Sequence, residues 1–529
     1  MSTARNRWGQ EGRSRAALLC FAVSLSSCVP LPASPGGDSA AVLSPTDFAP
    51  YVAAFNAIDV AAEESEIPNP AVLEWMAPRI PYFDCPDSLL ETIYYFRWWT
   101  YRKHIRRTPL GYVITEFILP VKHAGPHNTI SCALGHHIYE GRWLRDQTYV
   151  RDYIRFWLRG HDGGPQPHLH RYSNWLGDAV YAHYLVHADT GFVLDLLEDL
   201  VRDYLAWETE RLSPQGLFWQ YDVRDGMEES ISGSRTAKHR RPTINSYMYA
   251  NARAIAALAS LAGRQDLAEQ FVRRAQVLKE AVEKLLWDPQ DLFFKVRLEG
   301  EGLSDAREAI GFIPWQFCLP DDREDFGRAW LQLTDTLGFW APWGLTTAER
   351  RHPRFRSHGV GSCEWDGAVW PFATSQTLTA LANLLHHYRH HPVSREVFFE
   401  ALRTYARSHQ KRGQPYLGEY LDEKTGAWLR DEPRSRYYNH STFCDLVITG
   451  LIGLIPRADD TLEVDPLLPA ERWDFFCLDH LPYHGHILTI LWDCTGQRYG
   501  RGAGFRVFAD GILLTSAPRL TRIRCRLPR

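Results

Sequence analysis

Helical patterns follow one another along most of this chain, and they constrain its fold more than any other feature. In residues 266–287, apolar side chains recur at steps of three and four, with charged residues between them. The stretches 193–212, 244–263, 324–334, 369–388 and 393–409 are similar. Short loops separate many of these stretches, which favours antiparallel helical hairpins. The sequence therefore predicts a mainly α protein over residues 146–455.

The last part of the chain has a different pattern. Short apolar runs at 461–464, 487–492, 505–508 and 512–514 are separated by turn residues, and Asp510-Gly511 is a strong hairpin signal. We therefore expect a small β-domain at the C-terminus. The predicted division is an export signal at 1–27, a linker at 28–50, a helical domain with a mixed N-terminal region at 51–455, and a β-sheet domain at 456–529.

The N-terminus has the features of an export signal. Four arginines among the first fifteen residues precede a largely apolar run at 16–25, which is too short to span a bilayer as a helix. Leu25-Ser26-Ser27-Cys28 resembles the lipobox of bacterial lipoproteins, while a plain cleaved signal remains the alternative. We expect an exported protein, periplasmic or at the cell surface, whose membrane contact would be made through a lipid on Cys28.

Charge and cysteine spacing exclude several other classes. With 59 Lys and Arg against 63 Asp and Glu, the net charge is −4, so the electrostatic basis for nucleic-acid binding is missing. No Cys-x-x-Cys pair occurs, and the spacings of the histidines at 123, 127, 136 and 137 match no standard zinc pattern. We expect neither a metal nor another cofactor. The sequence leaves the oligomeric state open.

Three segments combine acidic, amide and aromatic residues at unusual density: 219–230, 364–371 and 416–426. Four acids within eight residues of the first segment cannot all lie on the outside of a regular helix. These segments predict loops that enter a functional site. Each segment also has a purely structural alternative. For 219–230 it is an acidic turn in solvent, for 364–371 the packing of two tryptophans at a helix start, and for 416–426 an ordinary Lys-Thr-Gly turn.

In order along the chain, these segments resemble motifs of the six-hairpin glycosidases, which include trehalase, processing α-glucosidase I and mannosylglycerate hydrolase. Residues 225–230, Asp-Gly-Met-Glu-Glu-Ser, align with the Ser-Gly-x-Asp-x-Ser motif and place Glu228 on the general acid. Trp365, Gly367 and Trp370 match a Trp-x-Gly-x-x-Trp motif, and Glu419 precedes Thr425-Gly426 at the spacing of the general base. The similarity is greatest to the mannosylglycerate-hydrolase-like group.

This resemblance implies an (α/α)6 toroid with a central site and inverting hydrolysis of a carbohydrate. Inversion needs a protonated carboxyl at the leaving oxygen and an ionised carboxylate that activates water on the opposite face of the sugar. Two positions depart from the family pattern. Glu228 stands where Asp is usual, which keeps Asp225 open as the acid, and Asp366 stands where many relatives have Arg.

Nine residues in or near these segments are candidate sugar contacts, with plain packing as the alternative for each. They are Trp175, Asp178, Arg241, Asn245, Tyr247, Trp343, Trp365, Asp366 and Trp370. Two other functions also remain open. One is a polysaccharide lyase on a similar toroid, which would need a Tyr or His base and a group that neutralises a uronate. The other is a non-catalytic glycan-binding surface lipoprotein.

Overall fold

The computed structural model describes residues 41–59, 65–300, 302–359 and 363–528. The predicted export signal and the predicted linker up to residue 40 lie outside these residues. Residues 45–50 of that linker belong to the first helix, whose Phe48, Val52 and Phe55 are buried. No helix in the described ranges combines the length and the apolar character needed to cross a membrane.

The α-helices vary from one turn to more than five turns. They are α1 (Pro45–Ile58), α2 (Val72–Met76), α3 (Ser88–Tyr101), α4 (Leu134–Gly141), α5 (Thr148–Arg159), α6 (Leu176–His187), α7 (Thr190–Asp195), α8 (Leu197–Arg211), α9 (Asp222–Asp225), α10 (Pro242–Leu261), α11 (Gln265–Leu285), α12 (Ile313–Gln316), α13 (Glu324–Gly327), α14 (Leu331–Thr334), α15 (Pro371–His387), α16 (Arg395–Ser408) and α17 (Phe443–Leu446). Helix α17 continues into a π-helical turn at Val447–Leu451.

Six of these helices form a closed inner ring. Helices α4, α6, α10, α12, α15 and α17 contact one another in that order, and α17 returns to contact α4. Helices α3, α5, α8, α11 and α16 pack against the ring from outside. This arrangement is the predicted (α/α)6 toroid, and the mainly α prediction is confirmed.

The sequences of α10 and α11 show why one helix lies inside the ring and the other outside. Helix α10 is rich in alanine and is buried on nearly every side, which lets ring neighbours approach closely on both flanks. Helix α11 buries one stripe and exposes residues such as Val272 and Val277 on its other face. The predicted stretch at 266–287 corresponds to α11, and the stretch at 244–263 corresponds to α10.

Buried polar contacts join the two ends of the ring. The Glu140 carboxylate accepts hydrogen bonds from the backbone N–H groups of Cys444 and Asp445, at 3.2 and 2.9 Å. Arg142 donates to the Asp445 carboxylate at 2.7 Å. Helix α4 is thereby attached to the start of α17, although about 300 residues separate them in the chain.

Short hairpins and one larger sheet make up the β structure. The strands are β1 (Tyr82–Asp84), β2 (Ile105–Thr108), β3 (Gly111–Ile114), β4 (Trp287–Asp288), β5 (Phe293–Phe294), β6 (Trp340–Ala341), β7 (Gly344–Leu345), β8 (Gln410–Lys411), β9 (Gln414–Pro415), β10 (Thr461–Val464), β11 (Phe475–Tyr483), β12 (His486–Asp493), β13 (Gly504–Ala509), β14 (Ile512–Ala517) and β15 (Ile523–Arg526). The C-terminal sheet has the order β1-β11-β12-β13-β14, and its neighbouring strands are antiparallel.

Asp510 and Gly511 join β13 to β14 with φ angles of 50° and 78°. Positive φ at both positions is the geometry of a type I′ hairpin turn, as the Asp-Gly pair predicts. Strand β1 comes from the N-terminal region and pairs with β11, so the sheet includes residues outside 456–529. This strand was not predicted, because three residues are too few for a periodic pattern.

Trp473 joins the C-terminal sheet region to the toroid. The Trp473 ring is 6% exposed and meets the Phe399 ring of α16 edge-on at 5.8 Å between centroids. Three aromatic residues so close together, Trp473, Phe475 and Phe476, exceed what a small isolated sheet usually exposes, so the sequence predicts that all three make this contact. Phe476 packs on Phe505 within the sheet instead, and Phe475 lies against Tyr499, so the expectation holds for Trp473 alone.

We predict that Trp473→Ala lowers the free energy of unfolding of the whole chain by about 3–5 kcal/mol, because it leaves a cavity at a buried junction. Urea denaturation followed by circular dichroism measures this change. The control Ile512→Ala, at a side chain that is 66% exposed, should change stability by less than about 0.5 kcal/mol. Equal effects of the two substitutions would contradict the docking role of Trp473.

Candidate active site

A cavity of about 130 Å³ lies where the ring helices begin. It is formed by residues that precede or open α4, α6, α10, α15 and α17, together with the loop after β9. Its lining residues are Glu116, Phe117, His123, Ile130, Cys132, Tyr172, Gly226, Glu228, Cys363, Trp370, Phe372, Glu419, Arg434, Tyr438 and His440. Three carboxyl groups from distant parts of the chain therefore meet in one small space.

Glu228 reaches this cavity because the chain turns sharply after α9. Gly226 has a φ of 70°, a backbone conformation that glycine adopts at no steric cost, and it ends the helix. No side chain in the described ranges donates a hydrogen bond to the Glu228 carboxyl. Burial, together with the negative charges of Asp222 and Glu419, raises the pKa of Glu228 to about 7. Such a carboxyl retains a proton near neutral pH.

Glu419 is also buried, but its polar neighbours are different. Ser435 Oγ donates to its Oε2 at 2.9 Å, and Arg434 Nη2 lies 3.7 Å from the same oxygen. Burial raises the pKa of Glu419, whereas Arg434, Ser435 and Arg430 oppose that rise. The two carboxyls thus differ in their polar neighbours. Arg434, Ser435 and Arg430 favour the charged form of Glu419, whereas Asp222 and Glu419 favour the protonated form of Glu228.

Asp225, the alternative acid, does not line the cavity. Its carboxylate accepts from Arg241 Nε at 2.5 Å and from Ser173 Oγ at 2.6 Å, and all three side chains are buried. Burial raises the pKa of Asp225, and the Arg241 guanidinium opposes this rise. Asp225 and Arg241 therefore form a buried ion pair behind the wall that carries Glu228.

Aromatic stacking links two of the predicted sugar contacts. The Trp365 and Trp370 rings stack at 4.4 Å, and Trp370 stacks in turn on Tyr420 at 4.6 Å. Trp370 lines the cavity, while Trp365 lies behind it. The indole Nε1 of Trp370 is buried without a hydrogen-bond partner among the described residues. Of the nine predicted contacts, Trp370 is the one that the structure places on the cavity wall.

Three other predicted contacts are packed inside the toroid. Trp175 and Tyr247 lie with their rings 4.7 Å apart, and Gln376 Nε2 donates to the Tyr247 hydroxyl at 2.6 Å. The Asn245 side chain binds the backbone N–H and C=O of Phe218. These residues hold the ring helices together instead of facing the cavity, so the packing alternative applies to them.

The remaining predicted contacts lie elsewhere. Asp178 lines a second cavity of about 180 Å³ near the opposite ends of the ring helices and accepts from the Tyr139 hydroxyl. Asp366 is fully buried and pairs with His358 Nδ1 at 2.8 Å. Trp343 packs over Gly426 and against Arg407. Asp366, at the motif position where many relatives have Arg, thus contacts a loop of this chain.

The sequence did not reveal Glu116, Arg434, Tyr438 and His440 as site residues. Glu116 carried a usable signal, since it is the single charged residue in the apolar run 113–119. Burial raises the pKa of Glu116 to about 7. The other three lie in a polar segment after 430 whose residue types do not distinguish a loop in solvent from a cavity wall. The described residues contain no cluster of three or more side chains that could hold a metal.

Comparison with known proteins identifies the class of protein that this fold and cavity define. Residues 125–441 match the model of the "Mannosylglycerate hydrolase MGH1-like glycoside hydrolase domain", and residues 456–515 match the "Glycosyl hydrolase family 65, C-terminal domain". The first match spans more than half of the chain. The chain therefore belongs to the MGH1-like glycoside hydrolase domain family, as its motifs predict.

Solved structures of other proteins share this architecture. A protein named "Sialidase" is 51% identical, with a TM-score of 0.90 over 91% of this chain and 45% of that chain. A family 78 rhamnosidase of a Bacillus species is 13% identical, with a TM-score of 0.55 over 81% of this chain and 41% of its own. An uncharacterised conserved protein of Thermus thermophilus is 14% identical, with a TM-score of 0.51 over 67% of this chain and 99% of its own. This chain therefore spans less than half the length of the first of these three proteins, which has the highest identity among them.

The asymmetry between the two carboxyls predicts a specific pH profile. A proton donor with a pKa of about 7 loses its proton as the pH rises, so kcat/KM should fall above about pH 7. On the acid side, kcat/KM should fall as Glu419 becomes protonated. In Glu228→Gln, assayed with an activated aryl glycoside, the alkaline fall should disappear and the acid fall should remain. An alkaline fall that persists in Glu228→Gln would assign it to another group.

Proposed function

We propose that this protein hydrolyses a glycosidic bond with inversion at the anomeric carbon. Glu228 is the proton donor in this reaction and Glu419 is the base. The observation that carries the proposal is the presence of two carboxyls with different polar neighbours in one cavity. Membership in a glycoside hydrolase family supports the reaction class.

Each role follows from the neighbours of the carboxyl. Glu228 has no hydrogen-bonding side chain that would hold its proton away from a substrate, and nearby acids favour its protonated form. It can therefore donate to the leaving oxygen. Glu419 uses Oε2 for Ser435 and Arg434, and its Oε1 accepts no hydrogen bond from the described residues. That oxygen is available to take a proton from an attacking water.

Trp370 completes the arrangement. Its ring forms part of the cavity wall and is held by stacking on both faces, so its position is fixed before a ligand binds. With both faces covered, the ring presents its edge to the cavity, and this fixed edge limits the orientations that a sugar can take there. Positioning of this kind lowers the entropic cost of reaching the transition state.

The lyase alternative has weaker support from the same cavity. A lyase needs a free Tyr or His base beside a group that neutralises a uronate. The tyrosine and histidine at 438 and 440 both hydrogen-bond to Glu116, and burial holds the pKa of His440 well below its usual range. A purely sugar-binding role would not require one carboxyl among acids beside a second carboxyl that contacts arginine and serine.

Two alanine variants test the assignment. Glu419→Ala should abolish hydrolysis of every substrate, because no base remains to activate water. Glu228→Ala should lower kcat by about a hundred- to ten-thousandfold on glycosides with poor leaving groups, and far less on activated aryl glycosides. Steady-state kinetics on a series of aryl glycosides with graded leaving-group acidity measures the contrast.

Asp225→Ala is the matched control for these variants. It removes a buried carboxylate of the same segment that does not line the cavity. It should lower the free energy of unfolding by about 3–5 kcal/mol, since it leaves Arg241 buried without its partner. Its kcat should not depend more steeply on the leaving group than that of the wild type. A steep dependence in Asp225→Ala, with none in Glu228→Ala, would transfer the acid role to Asp225.

A further inference from the structure

Glu116 is a third carboxyl in the catalytic cavity, and the reaction described above does not use it. It follows β3 and is 2% exposed. The Tyr438 hydroxyl donates to its Oε1 at 3.0 Å, and the Cys132 thiol lies 3.6 Å from the same oxygen. His440 Nε2 shares a hydrogen bond with this oxygen as well. Three protein groups thus fix the carboxyl by one of its two oxygens.

The other oxygen, Oε2, has no donor among the described residues. Oε2 is not sealed from the cavity, and a carboxyl oxygen at the edge of a confined space usually takes a hydrogen-bond partner from whatever fills that space. Because Glu116 lines the cavity, a bound ligand can supply the missing donor. A sugar hydroxyl is a donor of the right size and polarity.

The charge of the cavity restricts which sugar fits. Among the described lining residues, Glu116, Glu228 and Glu419 supply carboxyls, Arg434 is the single arginine, and no lysine is present. Arg434 is already engaged, since its Nε donates to Glu432 at 3.0 Å and its Nη2 lies near Glu419. Burial lowers the pKa of His123, so this imidazole is neutral near pH 7. A carboxylated sugar would therefore find no uncommitted cation in this wall.

We propose that Glu116 is a specificity-determining residue: its Oε2 accepts a hydrogen bond from a hydroxyl of a neutral sugar, and the described cavity wall holds no uncommitted cation that would stabilise a sugar with a carboxylate. This inference rests on the proposed glycoside hydrolase function and names the substrate class of the same site.

The proposed preference differs from what the name of one relative would imply. The protein named "Sialidase" is 51% identical to this chain where the two match, but the match covers 45% of that protein. The name belongs to the longer protein as a whole and assigns no activity to the matching portion. No described residue of the cavity wall offers an uncommitted cation, which points instead to a substrate without a carboxylate.

Matched pairs of substrates test the inference. Each pair consists of a nitrophenyl glycoside and the nitrophenyl glycuronide of the same sugar series and anomer, which differ in a hydroxymethyl or a carboxylate group. The wild-type protein should have the higher kcat/KM on the neutral member of every pair that it hydrolyses. Glu116→Gln should lower kcat/KM on the neutral member by about tenfold, the usual effect of weakening one hydrogen bond to the substrate. The substitution should also lower the ratio of kcat/KM on the neutral glycoside to kcat/KM on the glycuronide.

Monodeoxy glycosides separate a contact with substrate from a structural effect. One of these substrates lacks the hydroxyl that Oε2 binds. On that substrate, wild type and Glu116→Gln should have nearly equal kcat/KM. If Glu116 has a purely structural role, Glu116→Gln should lower kcat/KM by the same factor on every monodeoxy glycoside. Glu91→Gln is the control: burial likewise raises the pKa of Glu91 to about 7, but this residue does not line the cavity. It should leave the substrate preference unchanged.

The outcomes separate this inference from the function on which it rests. If the wild type hydrolyses glycosides but prefers glycuronides, or if Glu116→Gln alters neither rate nor preference, the inference is wrong and the hydrolase function stands. If the wild type hydrolyses no glycoside, both are wrong. If Glu116→Gln does not fold, as judged by circular dichroism, the wild-type preference within the pairs still decides between a neutral and a carboxylated substrate.

Discussion

The arrangement of the site depends on closure of the helical ring between α17 and α4. Glu228 and Glu419 are 191 positions apart in the chain, and no helix contains both. They share a cavity because the last ring helix packs against the first. The contacts of Glu140 with the backbone of α17, and of Arg142 with Asp445, fix this junction without exposing a charge. Removing one partner of such a buried network leaves the other unpaired, which is costly.

Closure of the ring also determines the electrostatic environment of the carboxyls in the cavity. Because the cavity is walled by ring-helix starts and aromatic residues, carboxyls that reach it lose hydration, and their pKa values rise. What distinguishes them is the set of polar neighbours around each one. The segment after 430 brings Arg434 and Ser435 to Glu419, whereas the segment around Glu228 brings further acids. One fold thus places two carboxyls of the same cavity among different polar neighbours.

Long periodic elements were the most predictable from sequence. The amphipathic stripe of α11 and the Asp510-Gly511 turn each follow from local rules, and the structure has both. Short elements such as β1 have no periodic signal, and they form because the rest of the sheet is already present. Ordered motif matches singled out Glu228, Glu419 and Trp370, which the structure brings into one cavity. They could not separate residues that line the cavity, such as Trp370, from residues that support it, such as Trp175. Both kinds are aromatic or polar residues near the same helix starts, and only tertiary packing decides which of them face the space between.

The central claim is that Glu419 activates water directly and forms no covalent bond with the sugar. The most direct measurement is proton NMR of the anomeric signals during the first turnovers of an aryl glycoside that the protein hydrolyses. We expect that the sugar first released has the anomeric configuration opposite to that of the substrate, and that mutarotation follows later. Initial release of a sugar with the same configuration as the substrate would contradict this claim, because retention requires a glycosyl-enzyme intermediate or an equivalent second displacement.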